Sequence, residues 1–439
     1  MSAAKSVVVC GPGGTLNGDT TVPGDKSQSH RAVIFGSLAN GTSRVSGFLA
    51  GEDSLNTLEA FRSMGVSIER TDETSLVIEG VGMHGLRAPE KELYMGNAGT
   101  GMRLLAGVLA AQNFSSTLTG DESLSRRPMA RIINPLVEMG AKLHGDENGR
   151  PPLRIEPVAT VQGIDYTLPM ASAQVKSCVL LAGMYADGQV SVTEPEVTRD
   201  HTERMLRTFG YPVNSQGRTV SLQGGGQLTA CDLTISADIS SAAFLMVAGC
   251  IARDSDVVLR NVGINPTRTG IIDILRLMGA EISLLNERLA GDEPVADIHV
   301  RSSNLKGAAI PESLVPLAID ELPVVFVAAA CAEGTTTVTG ARELRVKESD
   351  RIAVMEAGLL ELGVDAKATD DGMIINGGPI GGGTIETDFD HRIAMSFCVA
   401  SLRASEPVTI NDAHHVETSF PGFFSLCADL GMKINGEAR

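Results

Sequence analysis

The chain has 439 residues, a formal net charge of -17 and 43% hydrophobic residues. The acidic balance argues against nucleic acids and anionic membranes as partners, because their phosphates would be repelled. Seven cysteines lie singly, without the close pairs that hold zinc, and no apolar run reaches the ~20 residues of a membrane span. The sequence therefore predicts a soluble, cytoplasmic α/β enzyme in a reducing compartment.

In chain order, a predicted pair of strands around GPGGTLNG comes first. A pattern of about 70 residues then repeats to the end of the sequence, and this period is longer than that of the usual solenoid repeats. In each repeat an apolar helical stretch ends at a glycine and an alternating strand follows. Such a glycine is typical of the left-handed residue that ends a helix. The six glycines are Gly65, Gly140, Gly210, Gly279, Gly363 and Gly431.

Each repeat also contains a polar cluster just before an apolar helical stretch, and we predict that each cluster begins a helix. The six clusters are Asp25-Lys26-Ser27, Asn97-Ala98-Gly99-Thr100, Ser172-Ala173-Gln174, Asp238-Ile239-Ser240-Ser241, Ile319-Asp320-Glu321 and Asp390-His391-Arg392. A helix start favours anions because its backbone N–H groups are unpaired. For any single cluster, ordinary capping is the simpler interpretation.

Six repeats suggest two domains of three repeats each. The extended segments VPGDKS and ISADISS open corresponding repeats, so the chain is expected to cross between domains there. One domain would comprise residues 1–22 plus 235–439, and the other residues 23–234. Alternatively, both segments are simply loops.

Several of these segments are rich in cations, which is unusual for an acidic chain. The predicted helix starts and their neighbours supply Lys26 and Arg31, Arg126, Arg127 and Arg131, Arg345, Lys347 and Arg351, and Arg392. Guanidinium groups match the oxygens of phosphate and carboxylate as a fork. The pattern indicates substrates that carry several negative charges.

Two carboxylates accompany the cations and are candidates for proton transfer. Asp320 and Glu348 belong to different repeats, and each flanks a predicted helix. The alternative for Glu348 is an ion pair with Arg351 or Arg345, since such pairs are common on helices.

The motifs PGDKSQSHR, GNAGTGMR, RRPM, MASAQVKS, RVKESDR, DHRIAM and SFP, in this order, resemble the enolpyruvyl transferase family over nearly the whole chain. The resemblance implies a two-domain inside-out α/β barrel built from six βαβαββ repeats, with the active site in the cleft between the domains. It also implies transfer of the enolpyruvyl group of phosphoenolpyruvate to the 5-hydroxyl of 3-phosphoshikimate. No metal or organic cofactor is expected, and the enzyme is expected to be a monomer.

The resemblance also implies roles for individual residues. Catalytic roles fall to Asp320, Glu348 and Lys26. Contacts with 3-phosphoshikimate are implied for Lys26, Ser27, Arg31, Ser172, Ala173, Gln174, Thr198, Arg199, Asp320 and Lys347. Contacts with phosphoenolpyruvate are implied for Lys26, Gly99, Arg127, Gln174, Arg351 and Arg392.

The motifs resemble the second of two classes in this family. Ala173 stands where the first class has serine, and Thr418 stands where that class has a C-terminal lysine. Members of the second class that tolerate the herbicide glyphosate carry alanine where this chain has Gly99. Glyphosate is longer than phosphoenolpyruvate, so a methyl group at this position would collide with glyphosate and spare the substrate. Because Gly99 lacks this methyl group, we expect this chain to be more sensitive to glyphosate than the class suggests.

The sequence disfavours three alternative functions. The sister enzyme that acts on UDP-N-acetylglucosamine has a loop cysteine, but this chain has no cysteine between Cys10 and Cys178. A non-enzymatic binding protein would have no reason to place Asp320 and Glu348 among cations. An RNA-phosphate cyclase is disfavoured by the acidic charge and the lack of aromatic residues for stacking.

Overall fold

The computed structural model describes residues 7–435. Its α-helices are α1 (Lys26–Leu38), α2 (Glu52–Ser63), α3 (Gly99–Leu109), α4 (Glu122–Ser125), α5 (Ala130–Glu138), α6 (Ala173–Gly183), α7 (His201–Thr208), α8 (Ile239–Ile251), α9 (Gly270–Leu277), α10 (Leu322–Ala330), α11 (Arg351–Glu361), α12 (His391–Ala400) and α13 (Phe423–Asp429). Short 3₁₀ helices cover Glu312–Leu314, Arg342–Val346 and Ala413–Thr418.

The strands are β1 (Val7–Gly14), β2 (Asn17–Thr20), β3 (Asn40–Ser46), β4 (Ser67–Arg70), β5 (Leu76–Val81), β6 (Leu93–Tyr94), β7 (Ser116–Thr119), β8 (Lys142–His144), β9 (Leu153–Glu156), β10 (Asp165–Thr167), β11 (Gln189–Thr193), β12 (Asn214–Gln216), β13 (Thr219–Gln223), β14 (Leu233–Thr234), β15 (Asp256–Gly263), β16 (Glu281–Ala290), β17 (Glu293–Arg301), β18 (Thr335–Val338), β19 (Asp365–Thr369), β20 (Gly372–Asn376), β21 (Gly383–Ile385), β22 (Val408–Asn411) and β23 (Met432–Asn435).

All six predicted helix starts are confirmed: five clusters contain the first residue of α1, α3, α6, α8 or α12, and the sixth directly precedes α10. At four of them a side chain caps the helix: Asp25, Ser172, Asp238 and Asp390 accept hydrogen bonds from backbone N–H groups of the first turn. The starts of α3 and α10 have no side-chain cap. The polar residues at those two starts therefore have their side chains available for other contacts.

The six predicted helix-ending glycines are also confirmed. Gly65, Gly140, Gly210, Gly279, Gly363 and Gly431 have φ angles of 91°, 92°, 79°, 92°, 77° and 116°. These values lie in the region that only glycine adopts readily, which is why one residue type recurs at this place.

The strands of residues 7–435 form six sheets, one for each repeat. The order β6-β7-β9-β8 shows the pattern: β6 and β7 pair in parallel, and β9 pairs antiparallel with both β7 and β8. A helical connection between β6 and β7 and a further helical connection before β8 complete a βαβαββ unit.

Three repeats are completed by strands that are distant in sequence. β14 pairs in parallel with β3, β2 pairs in parallel with β15, and β1 lies between β22 and β23. The predicted pair of strands at the beginning is thus present, but β1 and β2 belong to different sheets. β1 is an inner strand of its sheet, whereas β2 is an exposed edge strand of another.

The chain divides into two compact units, each with its own hydrophobic core. Unit 1 comprises residues 1–23, 236–289 and 294–439, and unit 2 comprises residues 24–235 and 290–293. The tip of the β16–β17 hairpin groups with unit 2, a detail that the sequence-based division does not contain.

In each unit the most deeply buried helices are those with the predicted polar starts. These are α1, α3 and α6 in unit 2, and α8, α10 and α12 in unit 1. Helices in the centre and sheets around them form an inside-out α/β barrel, as the sequence predicts. The polar starts are therefore the ends of buried helices.

Within residues 7–435 no helix is long and apolar enough to cross a membrane. The cysteines are free, and burial raises the pKa of the Cys250 and Cys331 thiols to about 12. A thiol with so high a pKa holds little thiolate at neutral pH, in agreement with a structural role for these cysteines.

Candidate active site

In unit 2, Lys26 begins α1 and is held by a carboxylate that the sequence analysis did not select. Its Nζ donates to Oδ2 of Asp53 at 2.9 Å, and Asp53 lies in the first turn of α2. The side chains of Lys26 and Asp53 are 17% and 10% exposed. Lys26 is thus oriented by a buried partner while part of it stays open to an anion.

Arg31 ties three helices together. Its Nε donates to Oγ1 of Thr202 on α7 at 2.7 Å, and its Nη2 donates to Oγ of Ser177 on α6 at 2.8 Å. Its Nη1 donates to the backbone oxygen of Ser27 at 2.9 Å. These three contacts fix the guanidinium group of Arg31 in place.

The start of α3 is narrow because two guanidinium groups approach it. A Cβ atom at Gly99 would lie 2.9 Å from Nη1 of Arg127 and 3.2 Å from Nη1 of Arg103. Arg127 also donates to Oδ1 of Asn97, and Nδ2 of Asn97 donates to Asp121 at 2.8 Å. The absence of a side chain at Gly99 is what permits both arginines to lie so close to the helix start.

Gln174, at the start of α6, is linked to the same group. Its Oε1 accepts from Nη1 of Arg103 at 2.6 Å, and its Nε2 donates to Oγ1 of Thr100 at 2.8 Å. Oγ of the neighbouring Ser172 caps α6 by accepting from Val175 N at 3.4 Å. The starts of α3 and α6 therefore form one continuous polar cluster that includes Gly99, Arg127 and Gln174.

Thr198 and Arg199 lie on the segment between β11 and α7. The hydroxyl of Thr198 donates to Oε1 of Glu194, so it is directed into the protein. Arg199 follows directly, one residue before Asp200 at the start of α7.

In unit 1, Asp320 lies between two cations. Its Oδ1 is 3.3 Å from Nζ of Lys347 and 3.5 Å from Nη1 of Arg351. Its backbone oxygen accepts from Nη1 of Arg392 at 3.0 Å. The segment before α10 thus meets the starts of α11 and α12, and four of the predicted site residues come together.

Glu348 joins this group through Arg351. Oε2 of Glu348 accepts from Nη2 of Arg351 at 2.6 Å, while Arg345 pairs with Asp350 at 2.7 Å. Of the two ion pairs weighed for Glu348, the one with Arg351 is therefore present. The pair does not exclude a role in proton transfer, because the Glu348 side chain is 22% exposed.

Arg351 is the centre of the unit 1 cluster and is almost completely buried. Its Nε donates to Oδ2 of Asp390 at 2.7 Å. Burial alone would lower the pKa of Arg351, but Asp390 and Glu348 outweigh burial and hold this pKa above its usual value. Within residues 7–435 its buried Nη1 has no hydrogen-bond acceptor. This Nη1 is the atom that lies 3.5 Å from Asp320, so Arg351 forms ion pairs with both Asp320 and Glu348.

Sequence reasoning missed Asp53, Arg103 and Asp390 as members of the site. The sequence pattern places Asp390 in a helix start and Arg103 at the end of GNAGTGMR, but it indicates no partner for either residue. Their contacts with Lys26, Gln174 and Arg351 depend on helices that are distant in sequence. In the sequence, the arginine in the Gly-rich segment GNAGTGMR is a signal by which Arg103 could be predicted as a member of the site.

The fold is shared with a known protein, and the site indicates the kind of substrate. The enolpyruvyl transferase NikO from Streptomyces tendae shares the fold, with a TM-score of 0.78 at 17% identity over 99% of each chain. Helix starts that carry Lys, Arg and acidic side chains fit proteins that handle anionic substrates.

More similar proteins define the family. Residues 11–426 match the profile of EPSP synthase (3-phosphoshikimate 1-carboxyvinyltransferase), and the chain belongs to this family. A 3-phosphoshikimate 1-carboxyvinyltransferase from Alkalilimnicola ehrlichii is 59% identical over 98% of this chain and 96% of its own length. The structure of EPSP synthase from Acinetobacter baumannii has a TM-score of 0.89 at 55% identity, covering 99% of this chain and 100% of that chain.

Proposed function

We propose that this chain transfers the enolpyruvyl group of phosphoenolpyruvate to the 5-hydroxyl of 3-phosphoshikimate and releases phosphate. The observation that carries the proposal is the cluster of Asp320, Lys347, Glu348 and Arg351, in which two carboxylates lie beside two cations. Family membership over nearly the whole chain supports the same reaction.

The two units would contribute different groups. From unit 2, Lys26, Ser27, Arg31, Ser172, Ala173, Gln174, Thr198 and Arg199 would serve 3-phosphoshikimate, and Lys26, Gly99, Arg127 and Gln174 would serve phosphoenolpyruvate. From unit 1, Asp320 and Lys347 would bind 3-phosphoshikimate, and Arg351 and Arg392 would bind phosphoenolpyruvate. The proposal thus needs groups from both units to act on one pair of substrates.

The chemistry follows from the two carboxylates. Glu348 gives a proton to the methylene carbon of phosphoenolpyruvate, which makes the adjacent carbon electrophilic. The 5-hydroxyl oxygen attacks this carbon as Asp320 accepts the hydroxyl proton. The tetrahedral intermediate then loses phosphate from the same carbon, and Glu348, now a carboxylate, takes a proton back from the new methyl group, which restores the double bond. Lys26, Arg127, Arg351 and Arg392 offset the negative charge throughout.

The proposal includes a monomeric enzyme in the cytoplasm that uses neither metal nor organic cofactor and binds neither nucleic acid nor membrane. The scattered single cysteines argue for a reducing compartment, and the net charge of -17 argues against nucleic acids and anionic membranes.

The test is phosphate release from phosphoenolpyruvate by the purified chain. Release that requires 3-phosphoshikimate is expected. Release that instead requires UDP-N-acetylglucosamine, or occurs with neither acceptor, would overturn the proposal.

Neighbouring arginines offer a matched pair of variants. Arg127 is buried beside Asn97, whereas the side chain of Arg126 is 71% exposed and pairs with Glu122. We expect Arg127→Gln to raise the KM for phosphoenolpyruvate about 10-fold or more, since a charge-assisted contact is lost. Arg126→Gln should leave it within about 2-fold, because exposed ion pairs contribute little.

A further inference from the structure

Three ionisable side chains of unit 2 form a buried cluster outside the proposed substrate contacts. Nζ of Lys176 on α6 lies 2.7 Å from Oε2 of Glu194 and 2.8 Å from Oε1 of Glu203 on α7. The three side chains are 1%, 2% and 2% exposed. Burial alone would lower the pKa of Lys176, but the two carboxylates outweigh burial and raise it, so the lysine stays charged.

Stability alone gives a weak account of this cluster. The desolvation of buried charges offsets most of their attraction, so a buried ion pair adds little net stability compared with apolar packing. The cluster is therefore better understood through what it holds in place.

The cluster holds Thr198 at three points. The backbone N–H of Thr198 donates to Oε2 of Glu194 at 3.4 Å, and its hydroxyl donates to Oε1 of the same carboxylate. Its backbone oxygen accepts from Nζ of Lys176 at 3.5 Å. Glu194 thus uses both oxygens on Thr198, whereas Glu203 contacts Lys176 from the opposite helix.

The hydroxyl contact changes the chemistry available to Thr198. A hydroxyl has one hydrogen to donate, and here that hydrogen is given to Glu194. The oxygens of a phosphate dianion only accept hydrogen bonds. While Thr198 donates to Glu194, its hydroxyl cannot donate to a phosphate oxygen. The cation next to it on this segment is Arg199.

We propose that Lys176 and Glu194 are positioning residues that fix Thr198 so that Arg199 is presented to the phosphate of 3-phosphoshikimate. The inference rests on the proposed function. It assigns Thr198 the role of anchoring the segment, and not that of a direct contact with the substrate.

The two glutamates provide a matched test by substitution with glutamine. Each change removes one negative charge from the same cluster and leaves one Lys–Glu pair. Glu194→Gln leaves a single acceptor oxygen where two were bonded to Lys176 and Thr198. Glu203→Gln keeps an oxygen for Lys176, and its amide replaces Oε2, which has no hydrogen-bond partner within residues 7–435.

We expect Glu194→Gln to raise the Kd for 3-phosphoshikimate, measured by titration calorimetry, about 10-fold, since hydrogen bonds to a charged group are lost. The KM for phosphoenolpyruvate should change by less than about 3-fold, and Glu203→Gln should change neither constant by more than about 3-fold. Equal increases in the Kd for both variants would overturn the inference, because they would indicate a general loss of stability.

A double-mutant cycle separates positioning from direct contact. If Glu194 and the Thr198 hydroxyl act through one tether, Thr198→Val should raise the Kd as much as Glu194→Gln, and the double variant should add little. Fully additive effects would mean that the hydroxyl binds phosphate itself, which would overturn the inference. Wild type that fails to bind 3-phosphoshikimate would remove the proposed function and the inference together, whereas binding with an additive cycle would remove the inference alone.

Discussion

Asp320 and Glu348 are close to the same guanidinium group, yet each has a different proposed partner in the reaction. Asp320 lies 3.3 Å from Lys347, and Glu348 lies 2.6 Å from Arg351. We expect Asp320→Asn and Glu348→Gln each to lower kcat about 10²-fold or more, because a group that transfers a proton is lost. The Kd for 3-phosphoshikimate should change much less, since cations hold the phosphate.

Asp350→Asn is the control for this pair of variants. Asp350 caps α11 and pairs with Arg345, outside the proposed substrate contacts. The Asp350→Asn substitution should lower the melting temperature and leave kcat near the wild-type value. A Glu348→Gln enzyme with normal kcat would remove Glu348 from the mechanism.

Gly99 sets the space at the start of α3, and Gly99→Ala tests that space. The added methyl would lie 2.9 Å from Arg127, closer than real contacts allow, so the guanidinium must move. We expect the KM for phosphoenolpyruvate to rise modestly and the inhibition constant for glyphosate to rise more, because the longer inhibitor has less room to adjust. Both constants should be measured in wild type and variant, and equal shifts would contradict this view of Gly99.

His30 makes stability depend on pH. It is fully buried on α1, and burial, with smaller contributions from Lys26 and Arg31, lowers its pKa from 6.5 to about 3. Between these two pH values His30 binds a proton in the unfolded chain but not in the folded chain. The contribution of His30 to the free energy of unfolding is therefore fully present above pH 6.5 and is lost as the pH falls towards 3.

We expect the advantage of wild type over His30→Gln in free energy of unfolding to shrink by about 2 kcal/mol between pH 7.5 and pH 5. Urea unfolding at the two pH values measures it. A constant difference would show that His30 is not held neutral in the folded protein.

At the scale of elements, α3 and α6 touch through their backbones. A Cβ at Gly107 would lie 2.3 Å from the backbone oxygen of Cys178. Alanine in place of glycine usually stabilises a helix by about 0.5–1 kcal/mol, but here we expect Gly107→Ala to lower the free energy of unfolding by about 1–3 kcal/mol, because the helices must separate.

Gly378→Ala is the control for backbone contact. Apart from its two chain neighbours, no atom of residues 7–435 lies within 4 Å of a Cβ at Gly378. Its free energy of unfolding should stay within about 0.5 kcal/mol of wild type, as for most exposed substitutions. A neutral Gly107→Ala would mean that α3 and α6 have room to spare.

At the scale of the whole molecule, the proposed substrate contacts belong to both units. Lys26 and Arg31 come from unit 2, and Asp320 and Lys347 come from unit 1. We expect 3-phosphoshikimate to draw the units together, because its anionic groups bridge cations that otherwise repel one another. Small-angle scattering should show a smaller radius of gyration with 3-phosphoshikimate and no change with shikimate lacking the phosphate. An unchanged radius at saturating 3-phosphoshikimate would contradict the expectation.

The sequence by itself determined the repeat, the helix starts and the helix-ending glycines, because these depend on local chemistry. Gly65 and its five counterparts need a positive φ, and Asp25 caps the helix that begins at the next residue. Periodicity and local hydrogen bonds involve neighbours along the chain, so a pattern of letters is sufficient to predict them.

Only the tertiary structure decided which side chains meet. The sequence places Asp53 27 positions after Lys26 and gives no reason to join them, and the same holds for Asp390 with Arg351. Nor does it show that β1 and β2 belong to different sheets, or that Thr198 directs its hydroxyl to Glu194. Such contacts depend on how separate helices and strands pack, and packing is determined by the whole core.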